Sequence, residues 1–340
     1  MSVVKSWFSK TQFYILLILI GYCIFVGVTN PAFATQQNLF DIIRSSSVMM
    51  IMAMGVLIVL ISGGIDVSFA IVGMFSAYAA IMFMRSTGID NLPVAFIIAI
   101  GTGALLGLFN ACIIHFFKLP TFIATLGTQS MYIGLMALLL GTEVINTPQM
   151  PSSLVAFGKA QLYTVHLENG QQYGFSVFII PVVLLGVLCW FILYKTSMGR
   201  GIVAVGNSEE AAKRAGYSLL KIHLFTYIMV GIYAAVAGII YVSEVAWASP
   251  LTNNLVGGTE LLTIAAVVIG GTKFTGGEGS IFGMILGVFL IRLFESTLVF
   301  LGLASSLNQL FIGIVLLGCV VVMSVNNQRM RKKLLLFGDK

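Results

Sequence analysis

The sequence predicts an all-α integral membrane protein with about ten transmembrane helices. Three observations predict it. Hydrophobic residues make up 59% of the 340 residues and charged residues only 9%, where a soluble domain carries about 25%; mean hydropathy is +1.03. The apolar residues are gathered into runs near the length of about 20 that a span requires. The basic residues lie between those runs, and they are distributed one-sidedly.

The runs place helices near 13–29, 39–61, 67–84, 93–115, 120–141, 175–194, 222–243, 259–273, 280–300 and 305–324. An even number puts both termini on one side. With that side cytoplasmic, only Arg44, Arg85, Lys159 and Arg292 of the 18 basic residues fall in the outer half, which satisfies the positive-inside rule. The opposite orientation violates it. The net charge of +6 therefore orients the chain in a membrane and does not point to nucleic acid. Lys5, Lys10, an apolar run and Ala32-Phe33-Ala34 imitate a cleavable signal peptide. The run is long for one, and an uncleaved first helix fits the even count, so it reads as a signal anchor.

Residues 1–340 read as one transmembrane domain, with an outer loop at 142–174, an inner loop at 195–221 and a basic cytoplasmic tail at 325–340. None of these can form a soluble domain, so an energy source or capture module has to come from another chain. The cysteines Cys23, Cys112, Cys189 and Cys319 all lie in apolar stretches without ligand spacing. They read as buried small hydrophobes, and no metal site is expected.

Two glycine-rich breaks interrupt the apolar sequence. One is Ser62-Gly63-Gly64-Ile65-Asp66-Val67-Ser68 and the other runs from Gly270-Gly271-Thr272-Lys273 to Gly276-Gly277-Glu278-Gly279-Ser280. Irregular backbone at membrane depth survives only where protein or water covers it, so both breaks are candidate gating elements. Asp66 is the sharpest residue, because a carboxylate at membrane depth is expensive and is paired or functional. It can brace the break by accepting backbone N–H bonds, cap the third span, or touch a polyol.

In the inner loop, Asn207 through Gly216 reads as a short helix. Asn207 caps it, with Glu210 three residues on as in a capping box. Glu209 and Glu210 fall in the first turn and Lys213 and Arg214 in the last, complementing the helix dipole, and Gly216 stops it. So short a helix is not stable alone, since about 12–15 residues are marginal in water. It is either a capped loop or a coupling helix that docks into a cytoplasmic partner. No Gly-x4-Gly-Lys-Ser/Thr phosphate loop occurs, so ATP chemistry and an enzyme role are not expected of this chain.

Thr121, Thr125 and Gln129 form a polar stripe in an apolar helix beside Phe122, and Asn308 and Gln309 begin the last span. Such groups either bridge helices by hydrogen bonds or line a wet pathway for a hydroxylated solute. Trp247 and Glu260 flank the outer mouth as gate candidates, although Trp is also a common interfacial anchor. Arg292 with Glu295 and Asp41 with Arg44 are three apart, on one helix face each, and read as ion pairs or as a surface for an outer partner. Gly103-x3-Gly107-x3-Ala111 and Gly279-x3-Gly283-x3-Gly287 are stripes for close helix packing.

Four pieces in this order resemble one family: Ser62 through Ser68; Leu119-Pro120-Thr121-Phe122-Ile123-Ala124-Thr125-Leu126-Gly127; Gly199-Arg200 leading to Gly206-Asn207 and the helix ending at Gly216; and Ala265-Ala266-Val267-Val268-Ile269-Gly270-Gly271-Thr272 with Gly276 through Ser280. Over about residues 10–325 the chain resembles the permease subunits of ATP-binding-cassette sugar importers, the ribose/xylose/galactose and autoinducer-2 group. The resemblance implies a type II importer permease fold in a bacterial inner membrane. It implies a second permease subunit, identical or paralogous, cytoplasmic ATP-binding subunits that use ATP and Mg, and an extracytoplasmic substrate-binding protein. The cargo implied is a monosaccharide or related small polar solute, with autoinducer-2, a nucleoside or a branched-chain amino acid as alternatives. A self-powered secondary transporter is the competing class and would make Asp66 its ion site. The chain departs from the family at Phe69-Ala70-Ile71, where a smaller run is usual, and this bulk is expected to narrow the first break.

Overall fold

The computed structural model describes residues 11–166, 172–250 and 258–301, with isolated positions of 307–317. The helices are α1 (Thr11–Thr29), α2 (Gln36–Ile61), α3 (Phe69–Thr87), α4 (Leu92–Phe117), α5 (Thr121–Leu140), α6 (Ser152–Lys159), α7 (Ile179–Lys195), α8 (Ser197–Asn207), α9 (Glu209–Arg214), α10 (Leu219–Val245), α11 (Thr259–Ile269) and α12 (Ile281–Phe300). Among the described residues seven helices are long and apolar enough to cross a membrane. An eighth appears if α7 and α8, bent by 71° at Thr196, count as one span. Most of the run expected at 305–324, the tail at 325–340, Lys5, Lys10, Cys319, Asn308 and Gln309 lie outside the described residues.

Two expectations need correcting. The segment expected as a loop at 142–174 carries strand β1 (Gln161–His166) and most of its partner β2 (Gln172–Ser176), an antiparallel hairpin in a chain expected to be all-α. The helix expected from 175 therefore begins at Ile179, because Gln172 to Ser176 are paired in the sheet. The helix expected at 259–273 stops at Ile269, where Gly270 and Gly271 end it. Of the described cysteines, Cys189 is buried, but Cys23 and Cys112 are only half-buried.

Helices α2, α3 and α10 are buried over most of their length, whereas α1, α4 and α5 keep most of their apolar surface outward. A helix apolar on all faces must sit either inside a core or in lipid, and both fates occur here. The inner helices approach closely because glycines face backbone. A Cβ on Gly73 would lie 2.7 Å from the carbonyl oxygen of Ala234, and Gly238 in turn faces Gly73. Gly103 faces Gly231 where α4 crosses α10, and Gly107 faces the backbone of Tyr227. Gly270 against Gly283 and Gly287 against Ala266 do the same for α11 and α12. Both small-residue stripes therefore serve packing. At the N-terminal end, Tyr22 of α1 stacks on Phe294 and shares a hydrogen bond with Thr297 of α12.

The end of the bundle that carries the hairpin is tied by polar contacts. Arg44 turns to Glu244 of α10 (3.7 Å) and donates to the Gly158 carbonyl (3.0 Å), so it links helices and is not simply the partner of Asp41. Arg292 and Glu295 pair as expected at 2.9 Å. Asp90 caps α6, accepting from the backbone N–H of Ser152 (2.7 Å) and of Ser153 (3.0 Å) and from the Ser152 hydroxyl (2.6 Å). Burial works against its charge, but the serine donors outweigh it and hold the Asp90 carboxyl down at about 2.

Two outcomes follow from this packing. Gly101→Ala, where a methyl meets nothing within 4 Å, should stabilise by up to about 1 kcal/mol through helix propensity. Gly103→Ala, two residues on, should destabilise by about 1–3 kcal/mol through overpacking; thermal unfolding in detergent, read as loss of the monodisperse peak, compares them. For Asp90 the folded pKa lies below the ordinary value, so its cap contributes fully above about pH 4 and is lost as pH falls toward 2. Asp90→Ala should loosen α6 by about 1 kcal/mol at neutral pH, seen as faster proteolysis of residues 142–178, with the difference from the parent shrinking below pH 3.

Candidate functional site

Both glycine breaks are the same device. At the end of α2 the Gly64 N–H reaches the Val59 carbonyl (3.1 Å) and the Gly63 N–H reaches that of Leu60 (2.9 Å), with Gly63 at φ +82°. At the end of α11, Thr272 N–H bonds Val267 (3.4 Å) and Gly271 N–H bonds Val268 (2.8 Å), with Gly271 at φ +92°. These are Schellman caps, which require a left-handed residue and so favour glycine. A third closes α9, where Tyr217 N–H bonds Ala212 and Gly216 N–H bonds Lys213, both at 3.0 Å. Gly216 thus terminates its helix as expected.

The chain after the first cap has no helix to satisfy it, and α5 supplies the partners. The Ile65 N–H donates to Thr121 Oγ1 (2.9 Å) and the Val67 N–H to Thr125 Oγ1 (3.3 Å), whose hydroxyl lies 3.3 Å from the Ile65 carbonyl. The threonine stripe therefore bridges to broken backbone. Asp66 is buried and braces the turn: its Oδ1 accepts from the Ser68 N–H and hydroxyl, both at 2.7 Å. Asn110 donates to Ser68 Oγ (2.8 Å), and the Tyr132 hydroxyl donates to Asn110 Oδ1 (2.8 Å). Asp66 is thus the end of a polar chain running from α5 through α4 to the start of α3. Ser68, not Asp66, stands at the cap position of α3. Phe69 and Ile71 are buried in the core and do not line the cavity beside the break.

The two breaks meet each other. The Gly277 N–H donates to the Ile61 carbonyl (2.9 Å), joining the second break to the end of α2. A Cβ on Gly276 would lie 2.7 Å from the Gly63 Cα and 2.7 Å from the Gly206 carbonyl oxygen. Beside it, Gly277 packs against the side chain of Asn207. Lys273 and Glu278 close the second break on itself with an ion pair at 2.6 Å. Gly63, Gly206 and Gly276 therefore form a three-way junction in which backbone touches backbone.

The expected helix over 207–216 is built differently. Asn207 is the last residue of α8, its Nδ2 donating to the Val203 carbonyl (2.9 Å). Ser208 is extended and caps α9, its hydroxyl accepting from the Ala211 N–H (3.3 Å). Asn207 cannot cap because its backbone still belongs to the preceding helix. Glu209, Glu210, Lys213 and Arg214 keep their expected turns, and Glu210 and Arg214 form a solvent-exposed pair at 3.9 Å. Such a pair contributes little, so α9 is held by buried Ala212 and by its caps.

A cavity of about 680 Å³ opens beneath the first break, lined by Ser62, Gly63, Gly64 and Thr121 on one side and by Glu209, Lys213, Tyr217 and Tyr227 on another. Glu260 of α11 lies near Gln129 of α5, bringing a gate candidate close to a pathway candidate. Phe122 points outward, 45% exposed. Trp247 is half-buried between Ala246, which accepts from Thr147 (3.0 Å), and Ala248, which bridges to Ile145. Sequence reasoning named Gly206 only within a family-resembling piece, without a role, and missed Asn110, Tyr132 and Tyr227. Asn110 was detectable as an amide inside an apolar run, whereas nothing local marks the two tyrosines.

Thr121→Val keeps the shape and removes the acceptor for the Ile65 N–H. It should destabilise by about 1–3 kcal/mol, the cost of an orphaned buried donor, while Thr121→Ser should stay close to the parent in thermal unfolding.

Residues 38–320 match the family model for "Branched-chain amino acid transport system / permease component". The chain is 32% identical over 323 residues to the ribose import permease protein RbsC of Escherichia coli (strain K12), covering 94% of each chain. It is 31% identical over 297 residues to the autoinducer 2 import system permease protein LsrC of Yersinia pestis (strain Pestoides F), covering 87% of this chain and 80% of that one. No solved structure matches. With its apolar helices and its fused helix breaks, this multi-pass membrane protein belongs to the branched-chain amino acid transport system permease family.

Proposed function

We propose that this chain is the membrane-spanning permease subunit of an ATP-driven importer, forming the path for a monosaccharide or related small polar solute by alternating access. It has ten spans with both termini in the cytoplasm, in a bacterial inner membrane. A second permease subunit completes the path, cytoplasmic subunits hydrolyse ATP with Mg, and an extracytoplasmic binding protein delivers the solute. Similarity to permeases named for ribose and autoinducer 2 supports the solute class.

The observation that carries the coupling role is the junction of Gly63, Gly206 and Gly276. Force on α9 from the cytoplasm passes through Ser208 to the end of α8, where Gly206 and Asn207 touch both breaks. Packed backbone transmits displacement without slack, and the irregular segments absorb the change in φ and ψ. A sugar needs hydroxyl and amide partners, which the polar residues of α4 and α5 offer. An amino acid needs countercharges for both of its ends. Around the first break Asp66 is the one buried charged residue among those described, so a branched-chain amino acid is the less fitting cargo.

Purification of the tagged chain from its native membrane should bring an ATP-binding subunit with it. The double charge reversal Glu209→Lys and Lys213→Glu, on the solvent side of α9, should lower that subunit's recovery and abolish energised uptake while leaving the chain folded in the membrane. Uptake into liposomes by the chain alone, without ATP, would overturn the proposal in favour of a secondary transporter. Competition of labelled ribose uptake by autoinducer 2 or leucine separates the cargoes.

A further inference from the structure

His115 and His223 take no part in the helix breaks, yet they face each other across the inner ends of two helices. His115 stands in the last turn of α4 and His223 near the start of α10. Their Nδ1 atoms are 3.3 Å apart, and the rings meet edge to face with centroids at 5.4 Å. The glycine crossing of Gly103 and Gly107 against α10 holds the two helices together above them. Both rings are half-buried and both line the cavity of about 680 Å³ beneath the first break.

We infer that this pair is a binding site for a divalent transition-metal ion, with zinc the best fit. The two Nδ1 atoms are within hydrogen-bonding distance, so in the metal-free protein one ring donates to the other. A tetrahedral zinc with Zn–N bonds of about 2.0–2.1 Å and ligand angles of about 109° sets two imidazole nitrogens about 3.3–3.4 Å apart. The spacing of this hydrogen-bonded pair is thus also that of two ligands around one ion, which would take the place of the shared proton. Both Nδ1 lone pairs serve the metal when each ring carries its proton on Nε2, a choice of tautomer that needs no side-chain movement.

The remaining coordination positions face the open cavity. Glu209 lines that cavity and acts electrostatically on His223, so a carboxylate is at hand. Among the described residues no third His, Cys, Asp or Glu closes the set, and water fills what is left. Lys118 and Lys213 line the same cavity and oppose a cation. The site is thus an open, reversible one and not a structural zinc. Imidazole ligands favour zinc, copper, nickel and cobalt over magnesium or calcium.

A bound ion would clamp the end of α4 to the start of α10 beside α9. On the permease reading above, this pins the wall of the cavity that has to move, and zinc slows uptake. Metal binding itself does not depend on that reading.

The full-length chain, purified through a tag without histidine, is titrated with Co²⁺ while the visible absorption of the ion is followed, then with Zn²⁺ in competition. One ion per chain is expected, with a tetrahedral absorption band that zinc displaces. His115→Gln and His223→Gln should each weaken binding tenfold or more, and Cys112→Ser, one turn from His115, should not. No cobalt band in the parent protein, or equal affinity in the double glutamine variant, overturns the site. These spectra need no transport, so their failure is separate from any failure of the importer reading. Uptake that is unchanged by zinc at saturating occupancy overturns the clamp.

Discussion

A helix broken inside an apolar bundle has to find partners for the backbone groups it frees, and the rest of this structure is arranged around that requirement. At the end of α2 the first partners are internal, through the Schellman pairing of Gly63 and Gly64. The next are lateral, through Thr121 and Thr125 of α5 on the N–H groups of Ile65 and Val67. The last is Asp66, which closes the turn on Ser68 and anchors it to Asn110 and Tyr132. Each unmet group would cost about 1–3 kcal/mol in such surroundings, so three helices are committed to one short stretch of chain. That commitment fixes where α3, α4 and α5 stand relative to α2.

The second break is satisfied by the first, since Gly277 bonds the carbonyl of Ile61. This makes the two breaks one mechanical object. Because Gly206 fills the remaining corner, the end of α8 is part of it as well. No side chain lies between the three backbones at Gly63, Gly206 and Gly276 to soften a displacement. Asp66 then has a bracing role at the break, and the short α9 has an address.

The glycine crossings set the complementary constraint. Gly73, Gly103, Gly231 and Gly238 bring α3 and α4 into backbone contact with α10, giving the bundle a rigid spine. The stretches 62–68 and 270–280 and the bend between α7 and α8 interrupt the regular helices around that spine. A packed spine with irregular breaks beside it is what the alternating access proposed above would draw on.

Local patterns in the sequence marked the apolar spans, the glycine breaks at Gly63 and Gly271, the terminator Gly216, the small-residue stripes, and Asp66 as a buried carboxylate whose bracing role only the structure decided. Each follows from a period, a left-handed backbone or a charge in apolar surroundings, all readable over a few residues. The cap of α9 moved from Asn207 to Ser208 because α8 (Ser197–Asn207), a helix in a stretch expected to be loop, runs through Asn207. The hairpin of β1 and β2 was missed because strand pairing joins residues across a turn and leaves little periodicity in so short a run. The contact of Gly63 with Gly206 and Gly276, the service of α5 threonines to the broken backbone, and the facing of His115 and His223 were decided only by tertiary structure. They join residues from 56 to over 200 positions apart, and no local propensity carries information over that distance.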